Sequence, residues 1–451
     1  MLKRRIQESI YNWIENKRNA LLVDGARQVG KTFIIRECAK EKSISFAEFN
    51  LIKMKGLSSG LASISTTRDL VALLSLFSKN KLDKGTFIFI DEVQECPEFV
   101  TNIKFLVDEG YFRYILSGSL LGVTLHGISS EPVGYLDTLT MYPLDFEEFL
   151  QVYNFGEETK KTLEESYESG SPVNEALHEK MMSIFRTYLL VGGMPEAVAS
   201  FQSNGNLETV TQIHENIIIQ YKKDISKYEK EEKKLMLGRI YDLIPAELNS
   251  QSRRFNYQSI KKGIRSERVE ESFLWLKNAG VAIATYNAKE PVYPLLISME
   301  STLFKLFLSD VGLLTTMYGR DTKIKIFNNE EELNLGAIYE NAVAQELKAH
   351  GFDTYYYRSK KLGELDFVVE KGGSILPIEV KSGKNYKKHS ALSSVMAVQN
   401  YNFEKAYVLS NYNANKENEI YYLPIYMTMF VWKDTRKLPK LDIEEFQMSN
   451  I

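Results

Sequence analysis

Ala20-Leu21-Leu22-Val23-Asp24-Gly25-Ala26-Arg27-Gln28-Val29-Gly30-Lys31-Thr32-Phe33-Ile34-Ile35-Arg36 passes from a short apolar run, through two glycines, into residues that can propagate a helix. A strand, a glycine-bearing loop and a helix in that order form the setting in which such a loop binds phosphate. Gly25 and Gly30 let the backbone wrap closely, so that successive N–H groups of Ala26, Arg27, Gln28, Val29, Gly30, Lys31 and Thr32 can point at phosphate oxygens. The helix that follows aims the positive end of its dipole at the same place. Lys31 is expected to neutralise the β- and γ-phosphates and the Thr32 hydroxyl to ligate Mg²⁺, so ATP and Mg²⁺ are the implied ligands.

A second segment completes the chemistry. Thr86-Phe87-Ile88-Phe89-Ile90 is a nearly unbroken apolar run, as expected of a strand buried on both faces of a parallel sheet, and it ends in Asp91-Glu92. Two carboxylates at such an exit have no packing reason to be there. Asp91 is placed to hold the Mg²⁺ shell through Thr32 or water, and Glu92 to orient and polarise an attacking water. Ile44–Asn50 reads as a further strand between the two motifs, so the motif strands need not be neighbours. Tyr111–Leu116 is the next strand and runs into Ser117-Gly118-Ser119, where Ser117 or Ser119 could sense the γ-phosphate or be a plain turn residue. A last strand is expected at Thr138–Tyr142. Together these predict an α/β fold, a doubly wound nucleotide-binding core.

The chain has 451 residues, too many for one core, and suggests three or four compact units. No apolar run approaches the roughly 20 residues needed to span a bilayer, and the start, Met1-Leu2-Lys3-Arg4-Arg5, lacks the apolar stretch of a signal peptide. A cytoplasmic protein without a membrane partner is expected. Cys38 and Cys96 are too few for a disulfide framework, and the five histidines show no metal-ligand spacing. A net charge of −3 means that any contact with DNA must be local.

One local patch is Arg253-Arg254-Phe255-Asn256-Tyr257-Gln258-Ser259-Ile260-Lys261-Lys262-Gly263-Ile264-Arg265-Ser266-Glu267-Arg268. It resembles a helix-turn-helix, with Ser266 capping a helix that buries Val269, Phe273, Leu274, Leu276 and the stem of Lys277 and ends at Gly280. A winged-helix-like unit of this kind can grip DNA or pack against the nucleotide core.

The carboxyl half carries a second constellation. Glu364-Leu365-Asp366-Phe367-Val368-Val369-Glu370 and Ile375-Leu376-Pro377-Ile378-Glu379-Val380-Lys381 read as strands joined through Lys371-Gly372-Gly373-Ser374. A turn centred on Gly372-Gly373 sets Asp366 opposite Glu379 and Glu364 opposite Lys381, all on one face. Facing carboxylates destabilise a strand pair unless something positive lies between them. A divalent cation held by Asp366 and Glu379 would resolve the conflict, with Lys381 positioning or activating water. Upstream, Gly336, Glu340, Val343, Ala344 and Leu347 form one helical stripe, which turns Glu340 inward, where it needs a partner or a metal.

Gly-Ala-Arg-Gln-Val-Gly-Lys-Thr, Ile-Asp-Glu-Val-Gln, Leu-Ser-Gly-Ser, Tyr-Pro-Leu-Asp-Phe-Glu-Glu-Phe-Leu and Gly192-Gly193-Met194-Pro195-Glu196 resemble the prokaryotic AAA-superfamily ATPases that carry a C-terminal domain of unknown function. The resemblance implies that Gly193 and Pro195 touch the nucleotide from a helical lid. It departs at Gly134-Tyr135, where many relatives have Gly-Arg, so no arginine finger is named. Glu340, Asp366 and Glu379-x-Lys381 resemble the PD-(D/E)XK, restriction-endonuclease-like constellation, which implies a nuclease or the same fold kept as a binding platform. The expected layout is an ATPase core over 1–155, a helical lid over 156–225, a winged-helix-like unit over 226–320 and a nuclease-like α/β domain over 321–451. The expected function is Mg²⁺-dependent ATP hydrolysis coupled to DNA binding or processing, or to a signalling or scaffold role. DNA, a protein partner and a second copy of the chain are the candidate macromolecular partners.

Overall fold

Five-residue apolar strands need both faces covered, and the amino-terminal sheet supplies that cover. Its strands are β1 (Ala20–Asp24), β2 (Phe46–Asn50), β3 (Phe87–Asp91), β4 (Arg113–Ser117) and β5 (Leu136–Thr140), all parallel, in the order β2-β3-β4-β1-β5. Alternation divides the side chains between two cores. Leu21, Val23, Phe89 and Ile115 meet the helices Ile6–Asn16 and Lys31–Glu41, whereas Leu22, Ile88, Ile90 and Leu116 meet the helices Thr67–Phe77 and Pro97–Glu109. Each fully buried Ile or Leu here contributes roughly 1.5–3 kcal/mol, which favours the doubly wound arrangement. The computed structural model describes residues 2–64, 66–118, 132, 134–228, 231–250, 253–255, 266–330 and 334–433. Ser119, the basic stretch 256–265 and the side chains of Ser266 to Glu270 lie outside the described residues.

The motif strands β1 and β3 are separated, as expected, but the strand between them is β4. Phe46–Asn50 instead takes the sheet edge beside β3, with Asn50 level with Asp91. The last core strand begins at Leu136, two residues ahead of the expected Thr138, and stops at Thr140. Met141 then donates its N–H to Asp24 O at 2.8 Å, which ties the chain beyond β5 to the start of the glycine loop.

Helices Glu157–Ser169, Glu175–Val191, Pro195–Asn204 and Leu207–Tyr228 follow the core, over most of the span expected to be a helical lid. Ile217 and Ile218 pack inward from the last of these, while Ile219 is exposed.

The remaining strands are β6 (Ala282–Ala288), β7 (Met299–Leu308), β8 (Tyr355–Ser359), β9 (Gly363–Lys371), β10 (Ser374–Val380), β11 (Ala406–Ser410), β12 (Asn415–Glu417) and β13 (Ile420–Pro424). They form one mixed sheet in the order β12-β13-β11-β10-β9-β8-β6-β7. The antiparallel pair β6–β7 is therefore not a free wing, because β6 runs parallel to β8 with Tyr286 level with Tyr355. Phe304 to Leu308 are all buried, far too apolar for a solvent-facing hairpin. Strands from both sides of residue 320 thus share one sheet. In the helix Ser266–Asn278, Phe273, Trp275 and Leu276 are buried, but Leu274, expected inside, is 52% exposed.

Gly372 and Gly373 both have positive φ, 62° and 79°, the conformation of a type I′ hairpin turn. The pairing runs from Ser374 with Lys371 to Ile378 with Phe367, the register read from the sequence. Against this sheet lies the helix Gly336–Ala349, buried over residues 336–347. Three of its buried polar side chains bond distant backbone. Asn341 accepts from Leu308 N at 2.8 Å and donates to Leu308 O at 3.1 Å, Gln345 accepts from Val311 N at 2.8 Å, and Glu346 accepts from Phe146 N at 2.7 Å. Among the described residues no helix is long and apolar enough to cross a membrane.

Candidate functional site

The glycine loop places Lys31 at the first turn of the helix Lys31–Glu41, with Gly30 left-handed at its N-cap. The Lys31 ammonium donates to Gly25 O at 2.9 Å and Ala26 O at 2.7 Å. Burial draws its pKa down to about 8, opposed by the nearby carboxylates of Glu92, Asp24 and Asp91. Thr32 Oγ1 donates to Asp91 Oδ1 at 3.0 Å. Asp91 is the hub: Asn50 Nδ2 donates to its Oδ2 at 2.8 Å and the Ser117 hydroxyl donates to its Oδ1. Thr32, Asp91 and Ser117 are thus brought together. Asn50 was not singled out in the sequence, where the only signal is a polar residue closing a strand.

Glu92 follows with φ 61° and ψ 47°, a left-handed conformation that is costly for glutamate and turns its carboxylate out of the strand direction. Gln94 Nε2 holds it at 2.5 Å. Gly118 is needed opposite, since a Cβ there would lie 2.7 Å from Gln94 Oε1.

The helix Leu207–Tyr228 contacts the loop through residues the sequence explained poorly. Asp224 pairs with Arg27 at 2.5 Å, Gln220 accepts from Gln28, and Tyr221 OH donates to Arg27 O at 3.0 Å. Asp224, for which the sequence offered no role, is thus a clamp on the glycine loop. Pro195 Cγ comes within 3.6 Å of where a Cβ on Gly30 would stand, so Pro195 flanks the loop, and Gly193 is bound by backbone contacts to Leu144 and the Asp310 carboxylate.

The second cluster forms where β9, β10, β7 and the helix Gly336–Ala349 meet. Asp366 Oδ2 accepts from Val380 N at 2.9 Å, and Lys381 Nζ lies 2.5 Å from Glu379 Oε1. Burial and then the neighbouring Asp366 charge push Glu379 up to about 7, with Lys381 opposing. Glu340 is fully buried and shares Lys305 with Glu364 and Asp366 of β9. The positive charge between the carboxylates comes from the protein itself. Lys305, fully buried, has its ammonium 2.9 Å from Glu364, 3.8 Å from Glu340 and 3.9 Å from Asp366, and Arg253 pairs with Glu340 and lies 3.8 Å from Asp366. The sequence reading did not single out Lys305 and assigned Arg253 to the basic patch rather than to this cluster. Lysine inside the apolar run Phe304-Lys305-Leu306-Phe307-Leu308 was the available signal. The facing carboxylates therefore do not require a divalent cation, and among the described residues no group of three or more His, Cys, Asp or Glu is arranged to hold one.

A parallel β2-β3-β4-β1-β5 sheet with a Gly25–Thr32 loop and an Asp91-Glu92 strand end defines a P-loop nucleotide-binding protein. Residues 17–150 match the family described as an AAA domain, so this part of the chain is an AAA-superfamily P-loop ATPase domain. Residues 182–324 and 335–428 match two domains of unknown function. Solved structures with a remote likeness include a Walker-type ATPase of Pyrococcus abyssi, at 16% identity over 70% of this chain and 96% of that one, TM-score 0.42. The ORC1 protein of Aeropyrum pernix in complex with DNA aligns at 12% identity over 72% and 91%, TM-score 0.25. A signal transduction ATPase with numerous domains (STAND) protein with a tetratricopeptide repeat sensor from Pyrococcus horikoshii aligns at 14% identity over 77% and 45%, TM-score 0.27. No curated protein matches the chain.

Proposed function

We propose that the protein binds and hydrolyses ATP with Mg²⁺ and couples its nucleotide state to DNA binding or processing through the carboxyl-terminal acidic cluster. The observation that supports the ATPase reading is that Thr32, Asn50 and Ser117 bond to Asp91 while Lys31 lies close enough to Asp91 and Glu92 to feel both charges. The residues fit Mg²⁺: Thr32 Oγ1 and Asp91 offer adjacent hard oxygens, and Asp91 is held by two further donors. Bound there, Mg²⁺ would supply charge neutralisation at the phosphate oxygens. Lys31 would exchange its two loop carbonyls for phosphate oxygens, a charge-assisted interaction stronger than the ones it leaves. Glu92, aimed by its backbone and by Gln94, would accept the proton of the attacking water. Ser117 would report on Asp91 rather than contact phosphate directly.

For the carboxyl half, Glu340, Asp366, Glu379 and Lys381 support a nuclease-like site, in which Asp366 and Glu379 would hold a metal and Lys381 would orient water. Lys305 and Arg253 favour the other reading, a nucleotide-gated binding or scaffold module whose acidic cluster is already neutralised. One experiment separates them: ATP turnover and cleavage of linear, supercoiled and branched DNA with Mg²⁺ or Mn²⁺, for wild type, Lys31→Ala and Asp366→Ala. Cleavage lost in Asp366→Ala supports the nuclease. ATP hydrolysis that needs Lys31, with no cleavage and no stimulation by any DNA, supports the scaffold.

A further inference from the structure

The strand β7 ends in Leu308-Ser309-Asp310 and turns at once into the short helix Val311–Met317. Asp310 is fully buried. One carboxylate oxygen accepts from Leu313 N at 3.0 Å, an N-cap bond. The other accepts from Gly193 N, in the loop ahead of the helix Pro195–Asn204, at 2.6 Å. The carbonyl side of Gly193 is held as well, since Gly193 O accepts from Leu144 N, just beyond β5, at 2.7 Å. Gly193 is therefore gripped from two sides, by the nucleotide core and by the carboxyl-terminal half.

The approach is so close that only glycine permits it. A Cβ on Gly193 would stand 2.0 Å from Leu144 O, one on Gly192 would stand 2.3 Å from Asp310 Oδ1, and one on Gly312 would stand 2.8 Å from Gly192 N. Gly192 also has a φ of 66°. Two residues past the grip, Pro195 flanks Gly30 of the phosphate-binding loop. The mount of Asp310 is rigid: Ser309 N donates to Val281 O at 3.2 Å, and Val311 N donates to Gln345 of the buried helix at 2.8 Å. Among the described residues no cation lies within ion-pair distance of Asp310, so its charge is met chiefly by backbone N–H groups. A buried carboxylate is costly unless its hydrogen bonds are made, and here the shortest of them joins the end of β7 to a loop 117 residues earlier in the chain.

We propose that Asp310 is a positioning residue for ATP turnover: it holds the Gly193-Met194-Pro195 loop against the phosphate-binding loop, so that turnover requires the carboxyl-terminal half to be docked. This rests on the reading of Lys31, Thr32, Asp91 and Glu92 as an ATPase site. Asp310 touches no reacting atom. Because coupling is reciprocal, whatever moves β7 alters nucleotide affinity, and nucleotide binding stiffens the end of β7.

Asp310→Ser in the full chain is the informative variant. Serine keeps a good N-cap for the helix Val311–Met317 but is too short to reach Gly193 N. ATP hydrolysis, affinity for a fluorescent ATP analogue and thermal melting without nucleotide are measured for wild type, Asp310→Ser and Lys31→Ala. Loss of a charge-assisted hydrogen bond should lower kcat/KM and analogue affinity about tenfold or more, while melting without nucleotide stays within a few degrees of wild type. Wild-type kcat/KM in Asp310→Ser, with Lys31→Ala inactive, overturns the positioning role alone. Equal turnover by wild type and Lys31→Ala overturns the ATPase reading and this inference with it. Should Asp310→Ser fail to fold, amide exchange on wild type decides: Mg²⁺ and ATP must protect the peptides around Gly193 and around Asp310 together, and protection of the first without the second overturns the proposal.

Discussion

Lys305→Met tests whether the acidic cluster is held together by the protein's own charge. Lys305 is fully buried, and its ammonium lies within 3.9 Å of carboxylates on Glu364, Glu340 and Asp366. Methionine fills nearly the same volume without the charge, so packing changes little while Glu340, also fully buried, keeps only Arg253 as a cationic partner among the described residues. Breaking a buried pair by removing one partner costs about 3–5 kcal/mol where the remaining charge is left uncompensated, and since Arg253 still faces Glu340 and Asp366 the lower end of that range is expected. The assay is urea unfolding of the full chain followed by tryptophan fluorescence, of which one of three reporters is Trp275, buried on the helix Ser266–Asn278 that packs on β6. Adding Glu340→Gln removes the stranded charge and should recover about half of the loss, since coupled residues are non-additive. Once Lys305 is gone, saturating Mn²⁺ should stabilise the variant by about 2.7 kcal/mol at a hundred times its Kd, and the wild type by much less. A loss below about 1 kcal/mol, or a loss that Glu340→Gln leaves unchanged, refutes the idea that Lys305 neutralises this cluster.

Lys31→Ala should abolish ATP hydrolysis in a phosphate-release assay, and Glu92→Gln should slow it by about 10²–10⁴-fold while leaving nucleotide binding intact, as removal of a general base does. Asp224→Ala should speed release of a fluorescent nucleotide by less than tenfold in stopped flow, because the Arg27–Asp224 pair is partly open to solvent and water screens it. Glu379 gives a pH signature. Its pKa is about 7 folded against 4.5 unfolded, so the folded chain takes up the proton first and wild type gains stability as pH falls through 7, complete below 4.5. The gain is about 3 kcal/mol, and in Glu379→Gln the difference between melts at pH 8 and pH 5 should shrink by most of that amount.

The parts of the molecule legible in the sequence are those set by near neighbours. The Gly25–Thr32 loop, the Asp91-Glu92 strand end and the Gly372-Gly373 turn each need only a short window, and the turn geometry alone fixed the pairing of β9 with β10. What escaped depends on contacts between distant segments. Lys305 and Arg253 meet Glu340 only because β7 and the chain near residue 253 converge on one helix. The strands β6 and β7 fall inside the span expected to be winged-helix-like, where the sequence reading placed no strands, and β6 pairs edge to edge with β8 and so extends the carboxyl-terminal sheet. Ile44–Asn50 was rightly a strand, but its place at the sheet edge is a matter of topology that local periodicity does not encode.

The helix Gly336–Ala349 explains how two chemically unlike sites can belong to one machine. Glu340 enters the acidic cluster, and Glu346, six residues on and roughly 9 Å along the axis, accepts from Phe146 N just past the last core strand. Burial holds Glu346 well above the ordinary carboxylate range, and the nearby Asp145 adds to the effect, so its bond to Phe146 is made by a group that favours the neutral form. Between them Asn341 and Gln345 fix the helix to both ends of the Leu308–Val311 turn that carries Asp310. A helix pinned at three residues by buried hydrogen bonds moves as a rigid body or not at all, since each bond abandoned in the interior leaves an unsatisfied group costing about 1–3 kcal/mol. A shift at Phe146 or Gly193 is then felt at Glu340. A double-mutant cycle between Asp310→Ser and Glu340→Gln, read in ATP turnover, measures that coupling directly. Strictly additive effects would show that the helix holds the fold together without linking the sites.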